Sequence, residues 1–415
     1  MPLSSYLTPG VYVEEISTGP RPIQAVGTST AAFVGEAPDA GARVNEAVAI
    51  NSWVQFVKEY VPAGAVSTPL SHGVFGFFNN GGRRCYCVNV GKGQPIGGGG
   101  RDRKGIDVLE ELEEVNIVAA PGYTKPEDYE TLLTHCENMK DRVAILDAPE
   151  DVKNVDDLTQ VGAAAATPKG GKGGAGGGGG GGDDKATTPP KNPGLRPRVS
   201  ERGYGAFYFP WITVRDPLSA KDLVDVPPSG HMAGIYARTD ASRGVHKAPA
   251  NEPIRGALNL TYRLTDAEQG ALNQAGVNCL RFFPREGALV WGARTVADGA
   301  SEWRYVNVRR LFNMIEESIK RATRWVVFEP NDASLWKAIR RDISAFLRLV
   351  WRDGALMGAT PEQAFFVQCD DTTNPPEVID AGQVVTMIGL APVKPAEFII
   401  FRIGQHAGGT EVEGA

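Results

Sequence analysis

Two helix-period patterns dominate the last quarter of the sequence. Between Val308 and Ala322, Leu311, Ile315, Ile319 and Ala322 recur at helical spacing and predict an amphipathic helix. From Ala333 to Arg352, Leu335, Ile339, Ile343, Phe346 and Val350 mark the apolar side of a second helix, with Asn331 or Asp332 as cap and Gly354 as stop. Trp325-Val326-Val327-Phe328 lies between them. Its β-branched and aromatic residues, set ahead of Glu329-Pro330, predict a short buried strand. Two closing strands are expected at Gln383–Leu390 and Glu397–Ile403. The last of these, with Phe398, Ile399, Ile400, Phe401 and Ile403, is apolar on both faces. A strand of that kind needs partners on both sides, so some of them are expected to come from other molecules.

At the opposite end, Val11-Tyr12-Val13-Glu14-Glu15-Ile16 forms one strand-length segment between Pro9-Gly10 and Pro20-Arg21-Pro22. It reads either as an extended arm or as an ordinary first strand. An α/β pattern then begins at Val26–Val34. A short helix is predicted at Trp53–Tyr60 and a buried strand at Cys85–Val90. Strands around Val115–Ala119 and Arg142–Asp147 flank a helix at Asp128–Met139, and this βαβ rhythm implies a parallel sheet. The sheet pattern resumes at Tyr204–Val214.

Residues 162–194 contain no aliphatic side chain larger than Ala and no aromatic one, and Gly176–Gly182 are consecutive glycines. Such a segment buries too little surface to offset its ordering entropy and is expected to be a disordered loop within one domain. The fold class that emerges is mixed α/β in several domains, with a central mixed or parallel sheet. An N-terminal arm covers residues 1–22 and an α/β domain 23–288, interrupted by the loop. A C-terminal domain with the two helices covers 289–394, and a C-terminal arm and tail 395–415.

The chain has 415 residues and a net charge of −6, long enough for two or three cores and too evenly charged for a dedicated nucleic-acid binder. Cys85, Cys87, Cys136, Cys279 and Cys369 are scattered and odd in number, which fits buried thiols in a reducing compartment. No signal sequence or membrane-length apolar run is visible, so a cytosolic origin without membrane insertion is expected.

Candidate chemistry changes this picture little. Gly27-Thr28-Ser29-Thr30-Ala31 echoes the nucleophile segment of subtilisin-type proteases, with His72 as a conceivable base. That family places Asp and His ahead of the serine, and neither residue type precedes Ser29 here. Ser334-x-x-Lys337 lacks companion motifs. Cys85-x-Cys87 has no second pair, and the histidines show no ligand spacing. Cys369-Asp370-Asp371 reads as a turn ahead of Asn374. No catalytic, metal or cofactor site is expected. A soluble α/β hydrolase or binding protein with apolar termini stands as the alternative to a structural role.

Several motifs together resemble contractile tail sheath proteins: Tyr6–Glu15 (YLTPGVYVEE), Lys247-Ala248-Pro249-Ala250-Asn251, Val290-Trp291-Gly292-Ala293-Arg294-Thr295, and Val308-Arg309-Arg310 leading to Trp325–Asn331. Phe366–Asp370, Gly389–Pro392 and Pro395–Ile399 continue the series. The resemblance implies a structural subunit that forms six-fold rings stacked helically around an inner tube and contracts to drive that tube through an envelope. It also implies terminal arms that add strands to neighbouring copies, with baseplate and terminal cap proteins as further partners. The particle would be a phage tail or a phage-derived injection device, assembled in a bacterial cytoplasm.

Residues 303–352 carry eleven Lys/Arg against five Asp/Glu. On the second helix Lys337, Arg341, Arg348 and Arg352 fall within about 60° of one another at 100° per residue, opposite the apolar side. A solvated face accounts for them in an isolated domain. In a sheath the same face is expected to grip the tube.

Overall fold

The computed structural model describes residues 22–98, 102–162, 194–219 and 222–401. Of these, 27–313 and 392–401 form a larger compact unit, and 22–26 and 314–391 a smaller one. The strands of the larger unit are β1 (Ala31–Gly35), β2 (Ala47–Ile50), β3 (Cys85–Asn89), β4 (Ile117–Ala119), β5 (Val143–Asp147), β6 (Gly205–Phe209), β7 (Ile212–Arg215), β8 (Leu223–Val226), β9 (Asn259–Leu260), β10 (Val277–Phe283) and β11 (Gly287–Val290). Its helices are α1 (Trp53–Tyr60), α2 (Pro69–Asn79), α3 (Pro126–Met139), α4 (Ser229–Arg243) and α5 (Asp266–Gln274).

Eight strands make one sheet in the order β11-β10-β6-β5-β4-β1-β3-β2. The six from β10 to β3 run parallel, as the βαβ rhythm implies, and the two edge strands are antiparallel. Covered on both faces, the central strands are buried along their whole length, which is why their sequences read as apolar runs rather than alternations. The strand period sorts them: Phe33, Cys87, Ile145 and Tyr208 pack on one face, and Val34, Val88, Leu146 and Phe207 on the other.

On the first face α2 and α4 pack so closely that a Cβ on Gly230 would lie 2.2 Å from Gly73 Cα, so only glycine fits there. Asp147, at the end of β5, accepts hydrogen bonds from the Ser229 amide (2.8 Å) and hydroxyl (2.6 Å) and so fixes the start of α4. All five cysteines are free and buried.

Helix α6 (Val306–Ala322) begins in the larger unit and ends in the smaller. In the smaller unit follow α7 (Ala333–Arg352) and an antiparallel strand pair, β12 (Phe365–Gln368) with β13 (Met387–Leu390). Asp332 caps α7 by accepting the Leu335 amide at 2.8 Å. Leu335, Ile339, Ile343, Phe346 and Val350 are buried as their spacing requires. Asp370 accepts the amides of Thr372 and Thr373, the turn expected there.

Other expectations need correction. Trp325–Phe328 is not a buried strand. Residues 324–326 form a 3-10 turn in which the amides of Val326 and Val327 donate to the carbonyls of Thr323 and Arg324, which uses locally groups a strand would offer to a ladder. Val327 is largely exposed, and Phe328, at φ 71°, is wholly so. Tyr204–Val214 serves two sheets: β6 ends at Phe209, and β7 joins a three-stranded sheet between β8 and β9. The strand expected at Gln383–Leu390 starts only at Met387, because Asn374 takes both the amide and carbonyl of Val385. Glu397–Phe401 forms no strand within the single chain. Val11–Ile16, Ile403 and nearly all of the glycine-rich segment lie outside the described residues.

Candidate functional site at the start of helix α6

Three of the quoted motifs converge in the larger unit. Ala248, Ala250 and Asn251, Trp291 to Ala293, and Pro395 to Ile399 line one cavity of about 450 Å³. The local backbone explains the convergence. Asn251, in the left-handed region at φ 56°, donates its amide to Val290 O at 2.7 Å, which ties its loop to the end of β11. Residues 293–295 are knitted to 304–306 by Val306 N to Ala293 O (3.0 Å) and Thr295 N to Arg304 O (2.8 Å). Arg294 therefore stands next to the start of α6.

Arg294 grips Glu397 with two parallel bonds, Nε to Oε1 at 2.9 Å and Nη2 to Oε2 at 2.5 Å, and its third nitrogen donates to Asn273 O. The two side chains are 11% and 17% exposed, so the pair is shielded from water and more durable than a surface contact. The Tyr305 hydroxyl adds a longer bond to Glu397, and Asn307 Nδ2 donates to Val393 O at 3.2 Å and to His246 O at 2.8 Å. Beyond this clamp Phe398, Ile399, Ile400 and Phe401 are 73–82% exposed. The chain end is thus pinned up to Glu397 and then projects four large apolar residues into solvent.

The other chain end is held on the same helix. Arg310 pairs with Asp240 at 2.9 and 2.6 Å, both side chains almost fully buried, and donates to Thr28 O at 2.9 Å. Its guanidinium lies 4.7 Å from the Tyr236 ring centre, and the neighbouring Arg309 stacks on Trp303 at 4.4 Å. The Arg309-Arg310 motif is therefore interior. Two of the cations counted between 303 and 352 are spent inside the protein and do not contribute to a surface charge.

On α7, Lys337, Arg341, Arg348 and Arg352 are all exposed. Arg341 is partly committed to buried Asp342 at 3.0 Å, which leaves Lys337, Arg348 and Arg352 as the freer cations of that face. Asp107, Glu110 and His135 bring ligand-type atoms within 4.8 Å of one another, a grouping invisible in the sequence. Arg142 Nη1 stands 3.4 Å from His135 Nε2, and burial together with that cation holds the imidazole down at about 4. A second cation is disfavoured there. His72, raised above as a conceivable base, is buried in α2 beside His231, and its Nδ1 has no partner. No helix among the described residues is long and apolar enough to cross a membrane.

Val290–Thr295 and Pro395–Ile399 stand out in the sequence as landmarks, but nothing there marks Arg294 and Glu397 as partners. The signal was available only as a basic and an acidic residue within two such motifs, 103 positions apart. Tyr305, Asn307 and Asp240 carried no signal at all.

Comparison with known proteins gives these features a setting. Residues 199–296 match the phage tail sheath protein central domain, and residues 298–405 the phage tail sheath C-terminal domain. The tail sheath protein of Vibrio phage KVP40 is 33% identical over 177 residues, 42% of this chain and 26% of that protein. The chain spans about a quarter of the length of the curated relatives it matches first. Solved structures correspond over nearly the whole chain. The sheath complex of an extracellular contractile injection system, PVC, in the contracted state is 32% identical with a TM-score of 0.74, covering 98% of this chain and 99% of that one. A chain of the anti-feeding prophage baseplate in the contracted state is 28% identical with a TM-score of 0.74, covering 96% and 99%. With two sheath domain models matched in tandem and one sheath structure aligned end to end at 32% identity, the chain belongs to the phage tail sheath family of structural proteins.

Proposed function

We propose that this chain is the sheath subunit of a contractile particle of the phage-tail or extracellular-injection type. Copies assemble in six-fold rings stacked helically around an inner tube, within a bacterial cytoplasm, and contract to drive the tube through a target envelope. The observation that carries this reading is the projecting Phe398–Phe401 segment beyond a buried ion pair. Four such side chains free in solution are an aggregation hazard; seated on a neighbour they stabilise a junction by up to about 6–12 kcal/mol. The pair β12–β13 supplies a suitable receiver, since two strands are marginal alone and Phe366 and Met387 stay exposed on it. Val11–Ile16 is assigned the same part at the N-terminal end. Ion pairs at the surface, worth about 0–1 kcal/mol each, exchange while these links persist. The likeness to a baseplate chain supports a further contact with baseplate proteins at the sheath end, and a terminal cap closes the other.

The basic face of α7 is assigned to the tube. Repeated weak ion pairs sum by multivalency, yet they release one at a time.

Negative-stain microscopy tests the reading. The purified chain should form long tubes, and a variant lacking residues 398–415 should stay soluble and short. A full-length chain that never polymerises would point to the hydrolase or binding-protein alternative. For the tube contact, Arg348→Glu with Arg352→Glu is expected to abolish tube-templated extended sheath while tube-free sheath still forms. Normal extended particles from that double variant would remove the assignment.

A further inference from the structure

Both chain ends are fastened to one turn of one helix. Thr28, where the chain enters the larger unit, accepts from Arg310 and donates its hydroxyl to the carboxylate of Asp240. Val393, where the chain leaves again, accepts from Asn307, three residues earlier on the same face of α6. Glu397 is held by Arg294 and Tyr305, whose segments are joined by the Val306–Ala293 and Thr295–Arg304 backbone bonds. Arg294 also exchanges its amide and carbonyl with the Asn278 side chain of β10 at 2.6 and 2.7 Å, so the path touches the sheet near its β11 edge, while none of these bonds involves a residue of β1 to β6. Each buried charged bond resists release, because letting go would strand a charge away from water. A helix turn rises only about 5.4 Å and is stiff along its axis.

We propose that the first turn of α6 is a mechanical coupler, passing a pull on the C-terminal arm directly to the root of the N-terminal arm. The central strands of the sheet are spared. The proposal rests on the reading of both ends as arms that bind neighbours. In such a chain of subunits, tension enters each copy at one arm and leaves at the other. A path confined to Glu397, Arg294, Asn307 and Arg310 would let subunits be dragged into a new arrangement without unfolding their cores. Ordinary cohesion of the fold makes the competing demand that every buried polar bond simply add to stability, whichever direction the load takes.

Pulling single full-length chains between handles at Met1 and Ala415 separates the two, and needs no assembled sheath. Glu397→Gln and, separately, Asn307→Ala are compared with Val143→Ala, which weakens the sheet core instead. All three variants should lower the melting temperature, the arm-root pair because each leaves a buried group unpaired, so the force response and not the melt separates them. Under constant force the lifetime of their first yield should shorten at least about tenfold, the equivalent of one charged hydrogen bond. The length released should be that of the few residues from 392 to 397. Val143→Ala should leave the first yield unchanged. A first yield that Val143→Ala shortens, or that both arm-root variants leave as in wild type, would overturn the proposal. Because the measurement uses monomers, loss of polymerisation would count against the sheath reading and not against the coupler.

Discussion

At the scale of single residues, the buried histidines set the acid response. Burial, reinforced by neighbouring His72, pushes His231 down to about 3, against an ordinary value near 6.5. The unfolded chain therefore binds the proton over that interval and the folded one does not, so stability falls as pH drops from about 6.5 towards 3. Asp147 works in the opposite sense. Burial raises it to about 7, so its contribution is present below the ordinary carboxylate value and is lost as pH rises through 7. Replacing His231 with Gln removes the first effect and leaves the second. Thermal melts between pH 4 and 7 should show a shallower acid limb in His231→Gln than in wild type. Equal limbs would mean that the imidazole is protonated as easily inside the fold as outside. Neither residue could be singled out in the sequence, because burial of a lone histidine depends on what packs over it. The packing at Gly76, where a Cβ would meet the His231 ring at 2.3 Å, is a contact between two helices.

At the scale of elements, α7 and the turn before it make opposite cases. In α7 the apolar period, the Asp332 cap and the glycine stop agree, and the helix forms over the expected span. Leu347 is fully buried there, so Leu347→Ala should cost about 2–5 kcal/mol in urea unfolding. Phe328 is as apolar as Leu347 and wholly exposed. Phe328→Ser should change monomer stability by no more than about 0.5 kcal/mol. A large loss would mean that Phe328 packs in a way the exposed turn does not suggest. Four apolar residues are too few to show a period, and the choice between strand and turn fell to the backbone partners within reach. Helix α4 leaves no trace in the sequence for the converse reason: buried almost all round from Ser229 to Ala237, it has no polar face to reveal its period.

For the whole molecule, the glycine-rich segment is an interruption that the fold closes over. Gly162 N donates to Arg196 O at 2.8 Å and Arg196 N to Gln160 O at 2.9 Å, so the flanks are paired with each other. Replacing residues 170–182 with a short Gly-Ser link should alter stability by less than about 1 kcal/mol, the scale of a change in loop-closure entropy, and leave polymerisation intact. Failure to polymerise would assign the segment a contact of its own. The sequence by itself determined what depends on local period and composition: the parallel-sheet rhythm, the two long helices, the buried thiols, and an apolar end with too few partners. It also carried the motifs of the sheath family. What only the tertiary structure decided is how those motifs meet. Arg294 reaches Glu397 across 103 residues, Arg310 turns inward to Asp240 and Thr28, and Thr28 and Val393, near the two ends of the larger unit, come to one helix turn. Ion pairs between distant segments leave no periodic trace, because their geometry exists only after the backbone has brought them together.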